Sequence, residues 1–414
     1  MSSTREGGQS TEIMDFSYTD AQESFRDELR VWLEENLPDG WLDGERELPS
    51  DDDERLAFLR DWQRTLADGD WAGIHWPEAY GGRGASLVEQ TIYREEMARV
   101  NAPPQVNVIG INLVGPTLIE AGTEEQKSRF VPNILSGEEI WCQGYSEPEA
   151  GSDVASLTTR AERNGDEWVI NGQKIWTSYA HNADWCLLVT RTDSSGEKHE
   201  GLTVLLVDMN QEGVETDPIH QANDDRSFNQ VYFNDAITTS DLVLGEVDEG
   251  WDIVMTLSAY EHAMTSIYTI EQRYLDLLEY CKTETRGGTP LIEKPEIRQQ
   301  LADFDARIQA AKVSHYRNVS KQIETGRPGP EGSMDLVVSD ELRIDLLNFA
   351  VDVQGPATSL WENGDAAFDE TTGYLRSYGS WIAAGTGDIQ RNIIGERVLG
   401  LPKDKKSKTS HRSE

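Results

Sequence analysis

One stretch, residues 141–178, constrains the fold of this chain more than any other. A polar, small-residue turn, Ser146-Glu147-Pro148-Glu149-Ala150-Gly151-Ser152-Asp153, separates two strand-like runs, and the second run ends in Trp176-Thr177-Ser178. Runs of β-formers broken by turn residues require a sheet. Hydroxyls and free backbone N–H groups beside a tryptophan suit a flat aromatic cofactor with polar edges better than they suit a packed core.

The periodicity on either side is different. Upstream, Thr19 or Asp20 can cap a helix in which Phe25, Leu29, Trp32 and Leu33 recur at three- and four-residue spacing before Pro38 ends it. Similar spacing predicts helices over 56–66, 87–98, 106–120 and 124–135. Trp76-Pro77-Glu78-Ala79-Tyr80-Gly81-Gly82 reads as a turn between helices. From Glu139 to about Glu246 the chain changes to short β-rich runs divided by turns, notably Asn164-Gly165 and Asn171-Gly172. Helical periodicity returns at Trp251, where Ile253, Leu257, Tyr260, Met264 and Ile267 form one stripe, and long runs cover 296–324, 334–353 and 388–399. The expectation is an α+β multidomain chain, helical over 15–139, β over 140–247 and helical over 248–401, with disordered ends at 1–14 and 402–414.

Charge and cysteine usage narrow the partners. Lys and Arg number 37 against 75 Asp and Glu, a formal net charge of −38. A surface that acidic repels phosphate, which disfavours nucleic acid and anionic membranes. Cys142, Cys186 and Cys281 are far apart, with no C-x-x-C and no clustered His, so neither a disulfide framework nor a metal site is expected. The N-terminal residues lack a basic-then-apolar leader, and no apolar run approaches the ~20 residues of a membrane span. A reducing cytoplasm is the expected compartment. No G-x-G-x-x-G follows a strand, which argues against a Rossmann cofactor site.

The segment 141–178 resembles the flavin-binding segment of the acyl-CoA dehydrogenases, S/T-E-P-x-A-G-S-D followed by a W-T/I-S/T strand end. Residues 76–82 also resemble that family's W-P-x-x-Y-G-G segment, though a plain inter-helix loop explains them as well. The resemblance implies an N-terminal α domain, a middle β barrel or sandwich and a C-terminal four-helix bundle, with FAD as cofactor. By residue-for-residue match, Gln143, Tyr145, Ser146, Gly151 and Ser152 would line the flavin ring and the pantetheine path of the substrate, with Trp176, Thr177 and Ser178 on the opposite strand. Thr386 and Asp388 resemble the C-terminal contacts to the flavin's polar chain. The backbone N–H of Ala384, which needs no side chain, would help polarise the thioester carbonyl.

The reaction implied is α,β-dehydrogenation of an acyl-CoA to the trans-2-enoyl-CoA, with electrons passed to an electron-transfer flavoprotein. Such a reaction needs a carboxylate base in a dry pocket and a hydride acceptor. By spacing alone Glu261, on the edge of the apolar stripe, reads as a boundary acid. In the resembled family the base stands either before G-T near the C-terminus or on the first helix after the β domain. The first place holds Ala384 ahead of Gly385-Thr386, and the second holds Glu261 followed by His262 where the family has Arg. Two other readings stay open: a flavin monooxygenase of the same superfamily, and a non-catalytic subunit that completes a partner's site.

One family signature is eroded. Where R-x-x-F-G-x-P is usual, this chain reads Glu284-Thr285-Arg286-Gly287-Gly288-Thr289-Pro290, with Gly287 where Phe would stand, and a later flavin motif survives only as Gln354-Gly355-Pro356. Those groups normally reach the flavin of a neighbouring subunit. Their loss resembles the α2β2 enzymes of steroid side-chain breakdown, the alternative being a homotetramer with a rebuilt adenine pocket.

The basic residues carry one more signal, since 26 are Arg and 11 are Lys, four of them within the last 14 residues. Many carboxylates with few Lys suit either a halophilic, salt-accumulating host or an ordinary acidic enzyme. Molar salt screens self-repulsion within ~3 Å. The halophilic reading predicts that the thermal midpoint falls when molar salt is removed; an unchanged midpoint overturns it.

Overall fold

Capping chemistry legible in the sequence starts most of the first helices in the computed structural model, which describes residues 17–262, 267–326, 329–362, 365–366 and 369–403. Residues 1–14 and 404–414, within the ends expected to be disordered, lie outside the described residues, as does Met264. Thr19 with Gln22, Ser86 with Glu89 and Thr123 with Gln126 each form a reciprocal capping box, opening α1 (Asp20–Asn36), α3 (Leu87–Arg99) and α5 (Glu124–Ser136). Asp51 accepts from the N–H groups of Asp53 and Glu54 to start α2 (Asp52–Asp68). A π-helical turn, Gly110–Val114, leads into α4 (Gly115–Ala121).

These helices close over buried Trp62, Trp71 and Trp76. Trp76 Nε1 donates to the Ile111 carbonyl at 3.0 Å, tying the Trp76–Gly82 turn to the π-helical segment. A Cβ at Gly82 would strike the Trp76 carbonyl, so glycine is the residue that fits there.

The middle of the chain forms an eight-stranded sheet in the order β6-β7-β3-β2-β4-β5-β8, with β1 paired parallel to β4. The strands are β1 (Trp141–Gly144), β2 (Arg160–Asn164), β3 (Glu167–Ser178), β4 (Trp185–Arg191), β5 (Leu202–Asp208), β6 (Val214–Pro218), β7 (Phe228–Thr239) and β8 (Val243–Leu244). Asn164-Gly165 does sit at the β2–β3 turn, where Gly165 has φ +66°. Asn171-Gly172 does not form a turn. Both residues lie inside β3 at a register shift against β7, where Asn171 Nδ2 donates to Asp235 Oδ1 at 2.9 Å. Long-range strand pairing overrides the local turn preference.

The C-terminal part comprises α6 (Trp251–His262), α7 (Ile267–Thr283), a small hairpin β9 (Thr285–Arg286) and β10 (Thr289–Pro290), α8 (Pro295–Thr325), α9 (Gly332–Gln354), α10 (Asp369–Ser380) and α11 (Gly387–Ile393). Helices α7, α8 and α9 share a core that includes Ile270, Leu277, Phe304, Ile308 and Leu346, and α10 packs on α9. The helical, β, helical order is the one expected from periodicity. Among the described residues no helix is long and apolar enough to cross a membrane.

One buried ion pair ties the polar turn to the sheet. Lys174, 0% exposed at its side chain, lies 2.9 Å from Glu147, which is 4% exposed. Glu147 also accepts from Thr158 N (2.6 Å), Thr158 Oγ1 (2.8 Å) and Thr159 N (2.8 Å). Lys174 Nζ donates in addition to the Tyr145 carbonyl at 3.0 Å, and Ile175 N donates to the Ser146 carbonyl at 2.9 Å. Burial pushes the Glu147 carboxyl up, but the Lys174 charge and the Thr159 hydrogen bond outweigh it and hold the group at about 2.

A depressed carboxyl stabilises the fold above its ordinary value of 4.5, and the contribution is lost as pH falls toward about 2. Lys174→Met should therefore cost about 3–5 kcal/mol, because it strands a buried carboxylate. Adding Glu147→Leu to it should restore most of that stability. Urea unfolding of both variants checks this, and a double variant as weak as the single one refutes the pairing.

Candidate active site

The end of β1, the turn after it, the end of β3, helix α6 and the loop before α11 meet around a cavity of about 1100 Å³. Its wall includes Gln143, Tyr145, Ser146, Gly151, Ser152, Trp176, Ser178, Glu261, Ala384 and Thr386. Thr177 and Asp388, the other two residues singled out in the sequence, are not part of that wall.

Strand alternation explains Thr177. Side chains two apart share a face, so Trp176 and Ser178 look into the cavity while Thr177 turns inward and is 2% exposed. Its Oγ1 is buried with no hydrogen-bond partner among the described residues. The strand is irregular here: the β3–β7 register shifts between Lys174 and Thr177, and Trp176 takes the left-handed φ of +61°. A non-glycine residue in that region is strained, and such strain collects at functional sites. Trp176 is thereby left 55% exposed, meeting Phe228 edge-on at 6.0 Å.

The loop before α11 shows a second left-handed pair, Ala384 at φ +53° and Gly385 at φ +84°. Gln390 Nε2 donates to the carbonyls of both, at 2.9 and 3.3 Å, and fixes the loop from within α11. Thr386 caps the same helix by accepting from Ile389 N at 3.3 Å. Asp388 points outward, 89% exposed, with Arg391 3.6 Å away.

Glu261 comes from the last turn of α6, whose Leu257 is fully buried and whose Met255, Ser258 and Ala259 also line the cavity. It has no hydrogen bond or ion pair among the described residues, and burial raises its carboxyl above the usual value. Tyr145 lies within electrostatic reach. Burial first, and then the Glu261 charge, push its phenol well up, and its hydroxyl is buried without a partner among the described residues. The side chain of His262 lies outside the described residues.

The sequence reading missed the residues that hold these groups in place. Lys174 was detectable as one of 11 lysines, set in a strand directly before apolar Ile175 and Trp176. Gln390 left no such signal, since its role depends on a loop folding back six residues. The two eroded motifs meet each other rather than the cavity: Arg286 donates to the Val353 carbonyl at 2.6 Å, beside Gln354, whose Oε1 is buried with no partner among the described residues.

The wall suits a flavin. Ser146, Ser178 and Gln143 offer donors and acceptors for a polar ring edge, Trp176 offers an aromatic face, and a Cβ at Gly151 would have open space around it to 4 Å.

Comparison with known proteins agrees. Residues 19–138, 142–236 and 248–399 match, in turn, the N-terminal, middle and C-terminal domains of acyl-CoA dehydrogenase. Acyl-CoA dehydrogenase IpdE1 of Mycolicibacterium smegmatis is 40% identical over 403 residues, covering 93% of this chain and 99% of its own. Among solved structures, the ChsE4-ChsE5 complex from Mycobacterium tuberculosis is 31% identical with a TM-score of 0.81, covering 94% of this chain and 100% of that one. A structure described as the Tcur3481-Tcur3483 steroid ACAD is 29% identical with a TM-score of 0.80, at 94% and 100% coverage. The chain belongs to the acyl-CoA dehydrogenase family, oxidoreductases that act on acyl-CoA thioesters with FAD as cofactor.

Proposed function

We propose that this chain converts an acyl-CoA to the trans-2-enoyl-CoA, with Glu261 as the base that takes the α-proton. The observation that carries this reading is that a half-buried Glu261, with no hydrogen bond or ion pair among the described residues, shares one cavity wall with Ser146, Trp176 and Ser178. Bound FAD supplies the hydride acceptor that no side chain offers. As the Cα–H bond breaks, its proton passes to a Glu261 carboxylate oxygen. Burial raises the proton affinity of that oxygen, which brings it nearer to a weakly acidic thioester α-carbon. Tyr145 stays a neutral phenol beside it. Ser152 and the Ala384 N–H are the proposed substrate contacts, the latter to the thioester carbonyl. Gln143, Tyr145, Ser146, Gly151, Trp176, Ser178 and Thr386 are the proposed lining for flavin and pantetheine, and an electron-transfer flavoprotein is the proposed electron acceptor.

Glu261→Gln should keep FAD bound while substrate-dependent flavin bleaching falls at least ~10³-fold. In the wild type, kcat/KM should rise with pH through an apparent pKa above 4.5, since the base acts deprotonated and burial lifts it. Retained bleaching in the variant removes Glu261 as the base.

A second related chain is the reading we favour for the assembly. Arg286 and Gln354 lie together away from this chain's own cavity, and two solved relatives carry paired chain names, one described as a steroid ACAD. From that likeness we infer an α2β2 tetramer acting on a bulky ring-bearing acyl-CoA, with a homotetramer as the alternative. Expressed alone, the chain should carry less than one FAD per copy; native mass with flavin absorbance reads this. A fully loaded homotetramer refutes the need for a partner.

A further inference from the structure

Leu87, Gln90, Thr91 and Arg94 follow one another at i, i+3, i+4 and i+7 on α3, and all four line the cavity. The acids of the same helix turn elsewhere. Glu95 accepts from Arg26 and Tyr316, each at 2.8 Å, and Glu96 is held by Arg30 at 2.8 Å and Arg99 at 2.7 Å. Arg94 has no hydrogen bond or ion pair among the described residues. Its polar neighbours on that face are already committed as donors, Thr91 Oγ1 to the Leu87 carbonyl and Gln90 Nε2 to the Ala85 carbonyl, both at 2.9 Å.

Among the described residues, no carboxylate faces the guanidinium closely enough to act as its counter-charge. His75 lies within electrostatic reach, but burial first and then Arg94 itself lower it to about 4, so it is neutral. Tyr268 of α7 is the other group in reach, and burial raises its phenol. Glu261 responds to burial alone, so the base is not the partner of Arg94. Arginine stays protonated even when desolvated. A cation on a cavity wall without a partner is satisfied by an acceptor that arrives with the ligand. Leu87 and Ile109 line the same cavity, and apolar wall of that kind suits an apolar body bearing one oxygen better than a multiply charged diphosphate.

We infer that Arg94 recognises a hydrogen-bond-accepting oxygen, keto or carboxylate, carried on the acyl group beyond the thioester, which makes it a specificity-determining residue. The substrates are then oxygen-bearing acyl-CoAs rather than plain fatty acyl-CoAs, an inference that rests on the acyl-CoA dehydrogenase reading of the cavity.

Three CoA esters of equal carbon number, ending in a methyl, a ketone or a carboxylate, test this with the holoenzyme. Dissociation constants from calorimetry and kcat/KM from flavin bleaching are both read. The wild type should favour at least one oxygen-bearing ester by about tenfold or more, and the order of ketone and carboxylate names the acceptor. Arg94→Met should abolish the preference, and Arg94→Lys should restore part of it for the carboxylate. Equal binding of all three esters by the wild type overturns the inference, with or without a folded variant. So does an equal loss for all three in Arg94→Met, which would put the guanidinium on the phosphates of CoA or flavin. Absence of bleaching with a binding preference intact would sink the dehydrogenase reading and leave the Arg94 assignment standing.

Discussion

The cavity depends on one buried contact, the Lys174–Glu147 pair. A polar turn such as 146–153 has few apolar side chains with which to dock, so packing alone gives it no fixed place. The pair replaces packing with charge. Glu147 gathers two backbone N–H groups, a hydroxyl and an ammonium, and the ammonium in turn holds the Tyr145 carbonyl. Removing both ions from water carries a penalty that is offset only because nearly every polar valence is filled. Tyr145, Ser146 and the end of β3 thereby share one rigid frame. Positions lining the cavity inherit their precision from that frame, which the paired Glu147–Ala150 backbone hydrogen bonds at 2.9 and 3.1 Å extend into the turn.

Backbone strain is the second device. Trp176 and Ala384 each adopt a left-handed conformation that costs of order 1–3 kcal/mol and that glycine would adopt without that cost. Each is held from behind, Trp176 by the register shift against β7 and Ala384 by the Gln390 amide. In both places the chain keeps a side chain or an N–H pointed where regular structure would not put it. Rigid elements behind and strained residues in front is the arrangement a preorganised site requires.

Local signals carried the fold a long way. Capping boxes, helical stripes and the change to period two depend on residues within a few positions of one another, so Thr19, Ser86 and Thr123 start their helices where the spacing predicts. Period two also contained the answer for Thr177, which had to face away from Trp176 and Ser178. What escaped was set by distant partners. Asn171-Gly172 has the chemistry of a turn, yet Asp235, 64 residues on, holds Asn171 in a strand. Glu261 is an unremarkable boundary acid by spacing, and only the assembled cavity wall partly buries it. Asp388 looked like a site residue by its motif but sits at the start of a short helix with its side chain in solvent.

The charge balance gives the unpaired cation its weight. With 75 acidic residues against 37 basic ones, an arginine in this chain has a wide choice of counter-ions. The other cations near α3 have found theirs: Arg26, Arg30 and Arg99 converge on Glu95 and Glu96 within 3.3 Å. In the sheet, Lys174 has Glu147. Arg94, on the same helix as two of those acids, is directed away from them by its place in the helical repeat. A surplus of negative charge makes an unmatched arginine harder to explain as an accident of composition. Its isolation is geometric, fixed by which face of α3 borders the cavity, and the charge it needs has to come from what the cavity holds.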